Sequence, residues 1–241
     1  MNRRRLVAFF ATLAGWSAGA PVLAREPAAP GYGRVAASAD GTGRTYMGRE
    51  IASVMGWQAA GWLERPEREK EEDVERMVAS LGLAAGQRVA DIGAGTGYVA
   101  RKLARAVGPT GRVLAVDVQP QMIALLRELA ARERLAQIEP VLGTATGTTL
   151  PAGSVDVALF VDVYHELEHP FEVLASTVRA VASRGRVVFV EYRAGDVRVP
   201  IKPLHTMTVE QIRREAAVHG LVFDRADSSL PWQHVVVFRK R

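Results

Sequence analysis

Between Val89 and Ala100 the chain reads VADIGAGTGYVA. An apolar run carrying Asp91 ends in a glycine turn, and a helix-forming segment follows at once. Strand, tight turn and helix in that order make one half of a βαβ unit, which commits the chain to parallel strands joined by crossover helices. Gly93, Gly95 and Gly97 supply the turn and let backbone N–H groups come close to a ligand at the strand's end. A second apolar run, Val113–Val116, ends in Asp117, 20 residues beyond Gly97. A carboxylate there lies beside the first turn, where it can accept both hydroxyls of a ribose.

The same alternation continues downstream. Apolar positions at helical spacing predict a helix over Glu72–Leu81, with Val74, Met77, Val78 and Leu81 on one face. Strands are expected at Arg88–Ile92, Val113–Val118, Ile138–Leu142, Val155–Val161 and Arg186–Tyr192. Helices are expected at Tyr98–Val107, Gln119–Arg132, Pro170–Ala182 and Thr208–His219, the last capped by Thr208. Two final runs, Leu221–Arg225 and His234–Arg239, read as an antiparallel pair. The fold class that follows is α/β, a doubly wound, mostly parallel seven-stranded sheet. Residues 72–241 form its domain, preceded by an N-terminal extension over 46–71. That extension holds Trp57, Trp62 and a charged stretch, and is expected to form one or two short helices, either a lid over a pocket or packing on the sheet rim. Residues 25–45, rich in Pro, Gly, Ala and Ser, read as a flexible linker.

Composition narrows the partners. Of 241 residues 48% are hydrophobic, enough for a sizeable core. The formal net charge is +5, but Arg3, Arg4 and Arg5 supply three of those charges and the rest of the chain is left at +2. No nucleic-acid footprint follows from that balance. The chain has no cysteine, which excludes disulfides, thiolate metal sites and a Cys nucleophile. Residues 1–24 read as an export signal: three arginines, an apolar run Leu6–Trp16, then small residues ending at Ala24. Arg3-Arg4-Arg5-Leu6-Val7 resembles a twin-arginine signal, which points to the periplasm, with membrane anchoring as the alternative. Gly15, Ser17, Gly19 and Pro21 interrupt the apolar run, so no stable membrane span is expected.

The glycine spacing separates two cofactor classes. A dinucleotide fingerprint reads G-x-G-x-x-G, whereas here it is G-x-G-x-G preceded by Asp91. That pattern resembles the class I S-adenosylmethionine-dependent methyltransferases. The resemblance covers about residues 72–240 and implies a Rossmann-like methyltransferase fold with S-adenosylmethionine as cofactor. It implies cofactor contacts from Asp91, Gly93, Ala94, Gly95, Thr96, Gly97, Asp117 and Val118, and from Asp162 at the fourth strand's end. One departure stands out: the loop Gly143–Gly147 has no acid, where many relatives place a carboxylate for the adenine amino group. Met47-Gly48-Arg49-Glu50 and Val190-Glu191-Tyr192-Arg193 bring the chain closer to exported bacterial methyltransferase-domain proteins.

The chemistry is expected at Val161–Pro170. Asp162, Tyr164, His165, Glu166 and His169 crowd polar groups onto a strand exit. Methyl transfer needs in-line positioning above all, and a hydroxyl or amine acceptor also needs a proton acceptor near neutral pH. His165 suits that role, with Glu166 second. A further cluster, Glu191, Tyr192, Arg193, Asp196, Lys202 and His205, lies on the same expected edge. His165–His169 also spells H-E-x-x-H, which on a helix would bind zinc. Pro170 takes His169 out of helix geometry, and no third ligand is placed as in zinc hydrolases, so no metal is assigned. The leading expectation is methyl transfer to a small molecule. The alternatives are a cofactor-binding module without catalysis, an NAD-type oxidoreductase and, last, a metal hydrolase.

Overall fold

The computed structural model describes residues 31–241; the expected signal segment 1–24 lies outside the described residues. The chain opens on a three-stranded antiparallel meander, β1 (Tyr32–Arg34), β2 (Gly41–Tyr46) and β3 (Arg49–Ala52). Three short helices follow, α1 (Ala60–Leu63), α2 (Arg68–Glu72) and α3 (Val74–Ser80). Of the linker expected over 25–45, residues 25–30 lie outside the described residues and the rest carries β1 and most of β2; β3 replaces the start of an extension expected to be helical. Tyr46, Ile51 and Ala52 are fully buried, and β3 packs on the turns Tyr164–Glu166 and Pro203–His205 of the main domain. Tyr32 donates to Glu172 at 2.6 Å, and Arg49 pairs with Glu215 at 2.7 Å; both partners lie far along the chain.

The remaining elements are β4 (Arg88–Ile92), α4 (Tyr98–Val107), β5 (Arg112–Asp117), α5 (Pro120–Arg132) and β6 (Ile138–Leu142). Then come β7 (Val155–Val161), α6 (Pro170–Ala180), β8 (Val181–Arg193), β9 (Thr206–Met207), α7 (Val209–Ala217), β10 (Val222–Asp227) and β11 (Gln233–Arg239). The sheet runs β10-β11-β8-β7-β4-β5-β6, with the two-residue β9 beside β8 as an eighth strand beyond the seven expected. Strands β4 to β8 are parallel, and β10 and β11 close the edge as an antiparallel pair.

Both faces of the sheet are covered, so its central strands are apolar on both sides. Along β7, Val157, Leu159 and Val161 pack with Val74, Leu103 and Ile123 from α3, α4 and α5. Ala158 and Phe160 alternate to the other face, against Val173, Leu174, Ile212 and Ala216 from α6 and α7. At about 25 cal/mol per Å² of apolar surface removed from water, these two layers are the main stabilising term. Among the described residues no helix is long and apolar enough to cross a membrane.

Register then places the strand ends. Ile92 of β4 pairs with Val116 of β5 and with Phe160 of β7, while Val161 of β7 pairs with Val190 of β8. Gly93, Asp117, Asp162 and Glu191 therefore leave the sheet side by side. The order reverses between β4 and β7, and that switch point is where open α/β sheets bind ligands.

Candidate active site

A cavity of about 520 Å³ opens at this edge. Its walls come from the β4 turn, from Asp117 and Val118 after β5, from Asp162 to Glu168 after β7 and from the segment before β9. The N-terminal extension adds Val54, Met55, Trp62, Leu63 and Arg68 to the wall. Gln119 fastens it, accepting from the Trp57 N–H at 2.8 Å and donating to the Met55 carbonyl at 3.0 Å.

The glycine turn is braced from within. The N–H groups of Gly93 and Ala94 both donate to the Val116 carbonyl, at 2.8 and 3.0 Å. Gly95 N–H donates to Asp117 Oδ2 at 3.0 Å, and Gln119 N–H donates to Asp117 Oδ1 at 2.9 Å. So three N–H groups expected to be free for a ligand hold the turn to β5 instead, and Asp117 anchors the loop as well as facing the cavity. Gly93 has φ 75°, and a Cβ there would be driven into the Val163 side chain. Gly97 has φ 90° at the start of α4, and a Cβ there would strike Leu129. Both positions require glycine for conformation and for space. Thr96 turns away from the cavity, its hydroxyl donating to Glu64 at 2.6 Å.

Two carboxylates along this wall are short of partners. Asp91 is 2% exposed and its Oδ2 has no hydrogen-bond partner. Burial pushes its carboxyl up to about 7, opposed by the Arg68 guanidinium. Asp162 stands at φ 52°, a left-handed conformation that costs a non-glycine residue on the order of 1 kcal/mol or more. Its Oδ2 accepts from Gln233 at 2.6 Å and its Oδ1 is buried without a partner. Burial, then the charges of Glu72 and Glu191, hold Asp162 far above the usual carboxylate range. Orphaned acceptors at the wall of a cavity fit a cationic, hydrogen-bond-donating ligand. The ammonium of a bound amino acid meets that description.

The other end of the cavity is built on His165. Val161 ends β7, and after Asp162 and Val163 comes a single 3-10 turn, Tyr164–Glu166. Glu191, fully buried at the end of β8, accepts from Tyr164 N–H at 2.9 Å and meets His165 Nδ1 at 2.6 Å. A carboxylate only accepts, so the proton sits on Nδ1 and the lone pair of the neutral ring is on Nε2. Nε2 lies 3.2 Å from His205 Nδ1. Burial opposes charging the ring, but Glu191's charge and hydrogen bond outweigh it, and His165 titrates above an ordinary histidine. Burial, then the charges of His165 and Lys202, hold His205 low. Glu166 is pushed up to about 7 by burial, although His165 and the Met55 N–H favour its charged form. Although the ring is 2% exposed, His165 lines the cavity, as do Glu166, Lys202 and His205.

The expected second cluster divides. Glu191 and His205 join His165; Lys202 faces the cavity and pairs with Asp40 at 2.5 Å. Tyr192 lines the cavity and donates to Glu72 at 2.9 Å. Arg193 and Asp196 pair with each other outside it. His169 is not with His165: its Nδ1 meets Arg44 at 3.3 Å. The H-E-x-x-H string therefore makes no zinc-hydrolase site, because the 3-10 turn and the helix start at Pro170 separate its two histidines. Arg68 escaped the sequence reading. Its signal was the i, i+4 spacing to Glu72, with which it forms a buried pair at 2.8 Å.

Comparison with known proteins agrees with this geometry. Residues 89–185 match the family model of a methyltransferase domain. The ubiquinone/menaquinone biosynthesis C-methyltransferase UbiE of Pseudomonas putida is 33% identical over 112 residues, 46% of this chain and 44% of its own. The chain thus spans less than half the length of that curated relative. A SAM-dependent methyltransferase from Aquifex aeolicus superposes with a TM-score of 0.74 at 21% identity, covering 78% of this chain and all of the other. The [4+2]-cyclase SpnF superposes with a TM-score of 0.61 at 16% identity, covering 70% of this chain and 80% of its own. Strand order, glycine turn and family match converge: residues 89–185 match the model of a methyltransferase domain, and the sheet that holds them has the fold of the SAM-dependent methyltransferase from Aquifex aeolicus.

Proposed function

We propose that this chain transfers a methyl group from S-adenosylmethionine to a small acceptor bearing an acidic O–H, N–H or S–H. The observation that carries the acceptor side is the His165–Glu191 pair, at the wall of the same cavity as Asp91 and Asp117. When bound, the cofactor supplies a methyl on a sulfonium whose C–S bonding pair stays with sulfur as the acceptor's bond to carbon forms. Asp91 and Asp162 would hold its cationic amino-acid end, and Asp117 its ribose hydroxyls. The acceptor's proton goes to His165 Nε2, the free lone pair of a ring whose orientation Glu191 fixes. Trp62, Leu63 and Met55 give the cavity an apolar wall. A small-molecule acceptor fits a cavity of about 520 Å³.

The same fold in a [4+2]-cyclase shows that architecture alone does not choose the reaction, so the cofactor needs its own test. S-adenosylhomocysteine should bind the chain in a calorimetric titration, and Asp117→Ala should weaken it by roughly 1.5–3 kcal/mol. Part of that loss comes from freeing the Gly95 and Gln119 N–H groups. Unchanged affinity in the variant would remove Asp117 from the site. Tighter binding of NAD than of S-adenosylhomocysteine would favour the oxidoreductase instead.

Export is part of this reading, supported by the arginine-led apolar run of residues 3–16 and the small residues before Arg25. Mass spectrometry of protein from its native host should find a terminus near Arg25. An intact Met1 on cytosolic protein would refute export.

A further inference from the structure

We infer that His165, His205 and Glu166 form a binding site for one divalent transition-metal ion, zinc above all, at the acceptor end of the cavity. One ligand atom from each of the three lies within 4.8 Å of the other two. His165 Nε2 and His205 Nδ1 are 3.2 Å apart. Two nitrogens on one tetrahedral zinc, each at about 2.0 Å, would be about 3.3 Å apart. The rings thus stand at the separation of the edge of a coordination tetrahedron.

What surrounds them supports a ligand set more than a chance contact. Glu191 takes the Nδ1 proton of His165 at 2.6 Å, which fixes the tautomer with Nε2 free. A carboxylate behind a histidine is the usual outer partner of a metal-bound imidazole. Two neutral rings and the Glu166 carboxylate leave one negative charge, and Glu191 adds a second, balancing a divalent cation. The chain's lack of cysteine leaves nitrogen and oxygen as its donors, a set that suits zinc and related ions. Two cations stand near the site and both are held by carboxylates: Lys202 on the cavity wall by Asp40, and Arg49 behind the His165 carbonyl by Glu215. Three protein ligands leave the fourth position open, and all three residues line the cavity.

The site comes from the fold and not from the H-E-x-x-H spacing. His205 arrives 40 residues after His165, on the 3-10 turn Pro203–His205, and β9 pins that turn by pairing Thr206 with Tyr192 of β8. The role of the ion rests on the methyl-transfer reading. With the ion bound, His165 Nε2 is a ligand, so its role as proton acceptor belongs to the ion-free chain; the ion would instead lower the pKa of an acceptor hydroxyl or thiol at the open position, whose proton passes to solvent at the cavity mouth.

The test needs no cofactor. The full chain without an affinity tag, stripped by a chelator, is titrated calorimetrically with Zn²⁺ alone, beside His205→Ala and Glu191→Gln. The expected result is one ion per chain. His205→Ala, on a partly exposed turn, should bind at least about 100-fold more weakly, and Glu191→Gln about 10–100-fold more weakly. Co²⁺ in place of Zn²⁺ should give the visible absorption of a tetrahedral ion, lost in His205→Ala. No stoichiometric binding, or equal binding by wild type and His205→Ala, overturns the site. Stoichiometric zinc without methyl transfer would leave the site standing and defeat the reading above. Undiminished methyl transfer by a protein that binds no zinc would do the reverse, with His165 then taking the proton itself.

Discussion

Replacing His165 with alanine is expected to lower methyl transfer by about 10²–10⁴-fold while leaving S-adenosylhomocysteine affinity nearly unchanged. The split follows from position. His165 lies after β7 with Glu191 and His205, whereas Asp91, Asp117 and the glycine turn occupy the neighbouring strand ends. Alanine would also strand the fully buried Glu191 carboxylate, so lost activity alone would not separate chemistry from folding. His165→Gln is the better comparison, since its amide N–H can still donate to Glu191. Both variants should bind S-adenosylhomocysteine and keep the native near-ultraviolet circular dichroism. A loss of less than about tenfold in His165→Gln would mean that positioning alone drives the reaction and the acceptor needs no deprotonation.

How legible this site was in the sequence depended on how local its causes are. β4, β5, β7 and β8 could be read because central parallel strands are apolar on both faces and form continuous runs. The glycine turn was legible because Gly93 and Gly97 answer a backbone demand only glycine meets. His165 stood out because it follows an apolar strand at the expected switch point. The meander was hidden. Its strands carry Gly33, Gly41 and Gly43, the composition of a linker, and the contacts that order it lie far away in sequence. Tyr32 reaches Glu172 and Arg49 reaches Glu215, and no local pattern announces either partner. Glu191 and His205 were visible as a polar cluster, but the sequence did not reveal that one would orient His165 and the other face it. A two-residue strand such as β9 leaves no periodicity to read. The H-E-x-x-H string failed for the opposite reason. Its spacing is meaningful only on a helix, and here it spans a 3-10 turn that ends before α6 begins.

Arg49 tests whether the meander belongs to the site or merely leans on it. Its guanidinium pairs with Glu215 on α7 through Nε and Nη2, at 2.7 and 3.1 Å, and Nη1 donates to the His165 carbonyl at 2.9 Å. Glu215 is fully buried, and its other side-chain partner is Gln211 at 2.6 Å. Burial works against the Arg49 charge, but Glu215 more than compensates and holds the guanidinium firmly protonated. Arg49→Ala removes one member of this pair and leaves a buried carboxylate without its counter-charge, which typically costs about 3–5 kcal/mol. The thermal midpoint should fall by roughly 6–20 °C for a chain of this size, at about 2–4 °C per kcal/mol. Glu215→Gln tests the same contact from the other side: it leaves the Arg49 guanidinium without its counter-charge, although the amide oxygen can still accept one of its hydrogen bonds. The double variant Arg49→Met with Glu215→Leu should recover much of the loss, since an apolar pair of similar volume replaces a buried ion pair at little cost. If Arg49→Ala melts like wild type, the meander is not held by this pair. If it melts low but, folded at 10 °C, still transfers methyl at the wild-type rate, the bond to the His165 carbonyl does not position the ring. The joint expectation is lower stability together with slower methyl transfer, because the same guanidinium that docks the meander also fixes the turn carrying His165.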